Sequence, residues 1–461
     1  MTIIITTTGA ARSVLSLSSI AALCFAAAGL SAPAGSRASG LSLDESSAVE
    51  IGNAHAGTAA AEDASTIVWN PAGLARLHGV HFSVSLAGID YAPKFTNSGS
   101  TSAVGSPATG GDGGNAGGLN VLPSLFFAAE LTPGLTAGVG VYTPFGLKVE
   151  YAPDWVGRYQ TVRSSFQTLN INPSLAWKAT DKLSIGGGVD FMNAEADLTR
   201  SIDFGSLCFG SAFGPANCTG AGITPQNRDG NVEVHGSSWG MGWNLGLMFE
   251  PVEGTRFGLT YRSRIREDVQ GTANYSYPSL PGPFAALAAT AATQNTNVTS
   301  KVWLPESANA NFISAITPQW SILGNLNWTR WSRFNELRVQ FANGAPDSAT
   351  TFYWRDTWNV SLGVNYQIVP SFKLRAGVEY ESNASRNGYR NPLVPESTRR
   401  LIAVGFNYRL TPKDSIDFGY SHVFFGDFSV SNNAPPPAPM TLNGSYKVSA
   451  DLFALQYNRA F

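Results

Sequence analysis

Few side chains in this sequence are of types and spacings that could perform covalent chemistry. A hydrolase needs a nucleophile and a base on one face. The five histidines (His55, His78, His81, His235 and His422) form no cluster along the chain. The adjacent Ser421 and His422 project to opposite faces of a strand and make no dyad. Cys208 and Cys218 lie ten positions apart in a Gly/Ala/Ser-rich segment. Outside the cytoplasm such a pair closes a disulfide that pins a loop. The metal-binding alternative needs further ligands, and the nearest histidine, His235, is seventeen residues on. The residues predict no enzyme, no metal and no cofactor.

Among 461 residues the charged ones are 13%, about half the ~25% of an average soluble domain. Hydrophobic residues stand at an ordinary 43%, while Gly (48) and Trp (11) run high. Low charge with many aromatics excludes a disordered chain. A net charge of −2 gives no electrostatic case for a nucleic-acid partner. Near the start, Arg12 precedes an apolar run from Val14 to Leu30, and Ser36-Arg37-Ala38 fits a small-residue cleavage site. This predicts a secretory signal over 1–38 and a mature chain that leaves the cytoplasm. A single membrane anchor is the alternative, opposed by the shortness of the run and by Pro33 at its end. After it, no stretch of ~20 apolar residues remains to span a membrane as a helix.

The elements that position these residues are strands. Trp358, Val360, Leu362, Val364, Tyr366 and Ile368 alternate with Asn359, Ser361, Gly363, Asn365 and Gln367, a strict period of two. The same pattern returns at 372–380, 402–409, 416–421 and 453–461. Soluble sandwiches also alternate, but these runs reach ten residues or more against a usual five or six. Apolar-out, polar-in strands with aromatics near their ends predict an all-β transmembrane antiparallel β-barrel. Hydrocarbon cannot satisfy an open sheet edge, so the sheet must close. A coarse count gives fourteen strands over 80–461, with short turns such as 131–134 and 179–182 alternating with long loops at 96–118, 203–230 and 275–297. Phe461, with Tyr457 before it, resembles the C-terminal signal read by the barrel-assembly machinery. Residues 39–79 do not alternate, and a barrel this wide leaves a lumen to fill, so they are expected to form a plug.

Three runs in that segment carry a resemblance: Gly52-Asn53-Ala54-His55-Ala56-Gly57, Ala61-Glu62-Asp63-Ala64-Ser65-Thr66 and Trp69-Asn70-Pro71-Ala72-Gly73-Leu74. They resemble the N-terminal hatch of the long-chain fatty acid transporter (FadL) family. Trp239-Gly240-Met241-Gly242-Trp243-Asn244, Leu259-Thr260-Tyr261-Arg262-Ser263, Trp303-Leu304-Pro305-Glu306, Trp331-Ser332-Arg333-Phe334 and Trp354-Arg355-Asp356-Thr357 look like its barrel strands. The resemblance implies a monomeric fourteen-strand barrel with an N-terminal hatch plugging the lumen. It would lie in outer-membrane lipid and take up hydrophobic small molecules passively. Ligand would meet a groove between extracellular loops, here 203–223 and Pro283 to Thr293, then a pocket at the hatch, and leave through the wall beside a kinked third strand. Pro144, Phe145 and Gly146 would make that kink; a strand end at the membrane edge would account for the same residues.

A fatty acid carboxylate needs a cation and donors in an apolar pocket. By position along the family-like strands, Arg200 and Arg338 are the candidate basic groups, with the hatch turn Asn70-Pro71-Ala72 as third element. Each arginine is equally readable as an ordinary rim or lumen charge. At 338 the family is expected to carry Lys, and Arg keeps the charge but alters the geometry. Leu41 is the apolar residue near the mature N-terminus that would reach the pocket, where an aromatic is expected. Relatives that admit monoaromatic hydrocarbons need no cation, and they supply the alternative cargo.

Overall fold

The structure, a computed structural model, describes residues 40–433 and 440–461; the signal segment read over 1–38 lies outside them. Twenty strands join in one antiparallel sheet, closed where Val80–Asn97 pairs with Thr441–Ala460 from His81↔Ala460 to Asn97↔Gly444. Six staves are each broken into two strands, among them Leu135–Tyr142 with Gly146–Glu150, Thr296–Leu304 with Ser307–Ala315, and Trp320–Thr329 with Glu336–Phe341. The barrel therefore has fourteen staves, as the alternation predicts.

The membrane explains the outer face. On Asp229–Val252 the exposed side chains Trp239, Met241, Trp243, Leu245, Leu247 and Phe249 follow one another at every second position. The intervening inward positions are Gly240, Gly242, Asn244, Gly246 and Met248, three of the five being glycine. Residues 40–79 fold into this lumen as a hatch of short turns: a helix at Ala48–Gly52, a 3-10 turn at Thr58–Ala60, a helix at Thr66–Trp69 and a 3-10 turn at Pro71–Arg76. Glycines on the wall are its seat. A Cβ on Gly377 would stand 2.2 Å from the Asn53 carbonyl oxygen, and one on Gly186 would stand 2.4 Å from the Ala72 nitrogen. Inward glycines thus admit the hatch backbone against the wall.

Polar bolts hold it there. Glu62 takes Lys373 Nζ at 2.5 Å and Arg375 at 2.9 Å, and Arg375 also reaches Asp417. Ser421 Oγ donates to the Ile51 carbonyl at 2.7 Å, while its neighbour His422 turns outward to Asp451. His55 Nδ1 lies 2.8 Å from Glu379 Oε2. Burial alone would lower the His55 pKa, but the Glu379 carboxylate, with Asp44 and Glu45, overrides it and raises the value to about 10.

Two outcomes follow. Leu362 is an exposed outward residue midway along its strand, so Leu362→Arg should cost about 2–4 kcal/mol in urea unfolding from bilayers. The raised His55 value means its stabilisation is complete below the free imidazole value of 6.5 and is lost as pH rises through about 10. Limited proteolysis of the hatch should accelerate across that upper window in the wild type. His55→Gln should show no such acceleration.

Candidate ligand-binding site and wall opening

The alternation of the wall inverts partway up. On Asp229–Val252 the apolar residues face outward from Phe249 to Trp239; above that, Val232 and Val234 face inward and Glu233 and His235 outward. The same switch occurs on Leu183–Asp203, where Ile185, Val189 and Phe191 are outward but Ala196 and Leu198 inward. Above the hydrocarbon the outer face meets polar surroundings, so apolar side chains are free to turn in. They line an apolar cavity.

Leu41, Leu147, Phe166, Val269, Val302 and Phe334 are among its lining residues. The aromatic group beside it is built by Trp331, Phe334, Phe352 and Trp354, with ring centroids 4.7–5.2 Å apart. A second cavity of about 580 Å³ adjoins it, sharing Leu198, Val234, Leu337 and Val339, and holds Arg200 together with Gln160, Thr161 and Tyr275. Arg338 is elsewhere. Leu337 and Val339 face the cavities, so period two sends Arg338 outward, where it pairs with Glu336 at 2.7 Å and Asp347 at 3.2 Å. The structure does not bring the two arginines together.

A third cavity, of mixed polar and apolar lining, lies lower between hatch and wall. Val68, Trp69, Pro71 and His55 line it from the hatch, and Asn244, Arg262 and Asn309 from the wall. Around it Asp190 receives Asn170 Nδ2 at 2.7 Å, Asn172 Nδ2 at 3.0 Å and the Arg262 guanidinium. The turn Asn70-Pro71-Ala72 is structural here. Asn70 Oδ1 accepts the Ala72 N–H at 3.1 Å and its Nδ2 donates to the Leu247 carbonyl at 3.1 Å, a cap that also ties hatch to wall. No sequence pattern announced the Asp190–Arg262 pair, because it joins residues distant in sequence. The inverted alternation at 232–235 was the available signal for the cavity.

The third stave does bend at Tyr142-Thr143-Pro144-Phe145-Gly146. Below, it pairs with Gly118–Thr132 up to Leu125↔Val141; above, the Glu150 N–H bonds the Ala116 carbonyl at 2.7 Å. Between these, residues 117–124 and 142–149 are not paired to each other. The hatch occupies the free edge. Leu43 N–H donates to the Pro144 carbonyl at 2.8 Å, and Gly146 N–H donates to the Leu41 carbonyl at 2.8 Å. Leu41 thus faces the apolar cavity with its side chain while its backbone holds the kink.

The extracellular loops also meet. Cys208 and Cys218 are disulfide-bonded, with Cα atoms 6.0 Å apart, and join the short helices Phe204–Phe209 and Gly214–Gly220. The Ala-rich loop forms 3-10 turns at Gly282–Ala288 and Ala291–Thr293. Phe213 and Phe284 pack across the two loops with ring centroids 4.6 Å apart and planes tilted by 45°, closing an apolar cluster with Ile223 and Leu287.

Known proteins are similar to this chain. The profile of a family described as outer membrane protein transport protein (OMPP1/FadL/TodX) matches residues 30–461. The long-chain fatty acid transport protein of Escherichia coli O6:H1 is 28% identical over 401 residues, covering 83% of this chain and 86% of its own. Among solved structures, a Pseudomonas aeruginosa FadL homologue superimposes with a TM-score of 0.81 at 21% identity, covering 92% of this chain and all of that one. The P. putida toluene transporter TodX gives 0.65 at 18% identity, over 86% of this chain and 94% of its own. Barrel, hatch and cavities all fall within the matched residues, and the chain belongs to the outer membrane protein transport family of FadL and TodX, as an outer-membrane channel for hydrophobic compounds and not an enzyme.

Proposed function

We propose that the cargo is a long-chain fatty acid, taken up passively through the loop cluster, the apolar cavity and the wall opening at Pro144-Phe145-Gly146. The observation that carries this reading is the double role of Leu41, which lines the cavity and bonds the kink. A tail filling the cavity would press on Leu41 and so loosen the segment that covers the opening. The apolar lining suits an alkyl chain, each buried CH2 contributing about 0.8 kcal/mol. Arg200, which lines the adjoining cavity, is the group proposed to receive the carboxylate. Arg338 is not, since two carboxylates already hold it on the outer surface. The channel works as a monomer in contact with outer-membrane lipid, inserted by the barrel-assembly machinery.

Monoaromatic hydrocarbons are the second reading. What favours them is the larger apolar cavity itself, which has no charged residue among its described lining. Uptake of labelled oleate and toluene by transporter-deficient cells separates the two. Arg200→Met should lower oleate uptake several-fold and leave toluene unchanged, while Arg338→Ala should leave both unchanged. Wild-type oleate uptake by Arg200→Met would remove the carboxylate assignment.

A further inference from the structure

The wall opens a second time, beside the same cavity. Ser307–Ala315 pairs with Trp320–Thr329 up to Ser307↔Thr329, and the Arg330 N–H then bonds the Glu306 carbonyl at 2.9 Å. Pairing between the two staves returns only at Thr299↔Gln340 and Val298↔Phe341. In between, six residues, 300–305, face nine, 331–339. The surplus turns inward as the 3-10 turn Trp331–Arg333, with Trp331 fully buried.

Both lips of this slit line the apolar cavity: Ser300 and Val302 from one stave, Phe334, Leu337 and Val339 from the other. The Ser300 hydroxyl is buried there without a partner among the described residues. The slit starts just above Trp328↔Trp358, the cross-strand aromatic pair that ends the outward apolar run Leu326, Val360 and Leu362. That is the level of lipid head groups. On its outer side stand the exposed Lys301 and Arg264, the latter stacked 4.5 Å from the centroid of the Trp303 ring. At its lower end the buried Glu306 carboxylate joins Arg333 at 2.7 Å and Arg330 at 3.1 Å, a clasp from one lip to the other.

We propose that this slit is a side port through which the tail of an anionic single-chain amphiphile resident in the outer leaflet enters the apolar cavity, its head group remaining outside near Lys301 and Arg264. It rests on that cavity being the ligand chamber proposed above. Such an amphiphile concentrates in the membrane, since each CH2 disfavours water by about 0.8 kcal/mol. A port at head-group level lets the tail pass from lipid to cavity without crossing water. Basic side chains at that level can keep the anion at the interface.

Photo-crosslinking tests it, with p-benzoylphenylalanine placed singly at Leu337 on the cavity lip, at Trp303 on the outer lip, and at Trp358 on a paired wall. The probe is tritiated palmitate dissolved in phosphatidylcholine vesicles holding the full chain. Label saturable by unlabelled palmitate is expected at 337 and 303, several-fold above that at 358. Label at 337 with none above the 358 level at 303 overturns the port and leaves the chamber standing. Absence of label at 337 as well removes both. A second arm staples the lips by Ser300→Cys with Val339→Cys in a Cys208→Ser, Cys218→Ser background, folding being checked by heat-modifiable gel migration. Oxidation should slow palmitate transfer from the vesicle bilayer into the cavity several-fold relative to the reduced form; equal rates overturn the port.

Discussion

Backbone hydrogen bonding in a medium without water governs this molecule. Every N–H and C=O facing hydrocarbon needs a partner from the chain itself, because a bare one costs several kcal/mol. Hence the strands are long, the sheet closes through Val80–Asn97 and Thr441–Ala460, and a gap in the ladder needs a substitute. At the third stave the substitute is the hatch, whose Leu41 carbonyl and Leu43 N–H take bonds that the neighbouring stave does not supply. The hatch is therefore a partner of the wall as well as a filling for the lumen.

Its attachments are of unlike strength. The body of the hatch lies on wall glycines and is fixed by Glu62 with Arg375 and by His55 with Glu379. Removing Glu379 would strand the His55 charge in the interior, while Arg375 would keep Asp417 if Glu62 were lost. The segment at 41–43 depends instead on a few neutral backbone bonds, each worth about 1 kcal/mol net, and on the burial of Leu41. The first residues of the hatch are thus its more weakly held part.

The strands were legible because the bilayer imposes both their period and their length, and 358–368 displays both. The hatch could be expected as a plug from its missing alternation, but its helices and turns hang on contacts with wall glycines that look merely small in the sequence. Arg338 shows where reading fails. Apolar-out, polar-in is a rule of the hydrocarbon zone, and on that rule an arginine between Leu337 and Val339 belongs in the lumen. Above the aromatic pair Trp328↔Trp358 the rule reverses, and the same alternation puts Leu337 and Val339 inside. Arg200 escapes the error because its even-numbered neighbour Leu198 is itself inward.

The reversal also bears on the route. The molecule carries two apolar belts, one outside the lower wall and one inside the upper wall. Straight below the upper belt, Asn170, Asn172 and Arg262 converge on Asp190, and an alkyl chain pushed among them would break their bonds without replacing them. An apolar cargo thus finds no downhill path along the barrel axis. Passage from belt to belt is cheapest where they overlap across an unpaired stretch of wall. At the third stave Leu119 and Val121 face lipid on one side of such a stretch, and Leu147 faces the cavity on the other. The proposed sideways exit would lie where the wall changes polarity, and the kink at Pro144 marks the place where the ladder gives way.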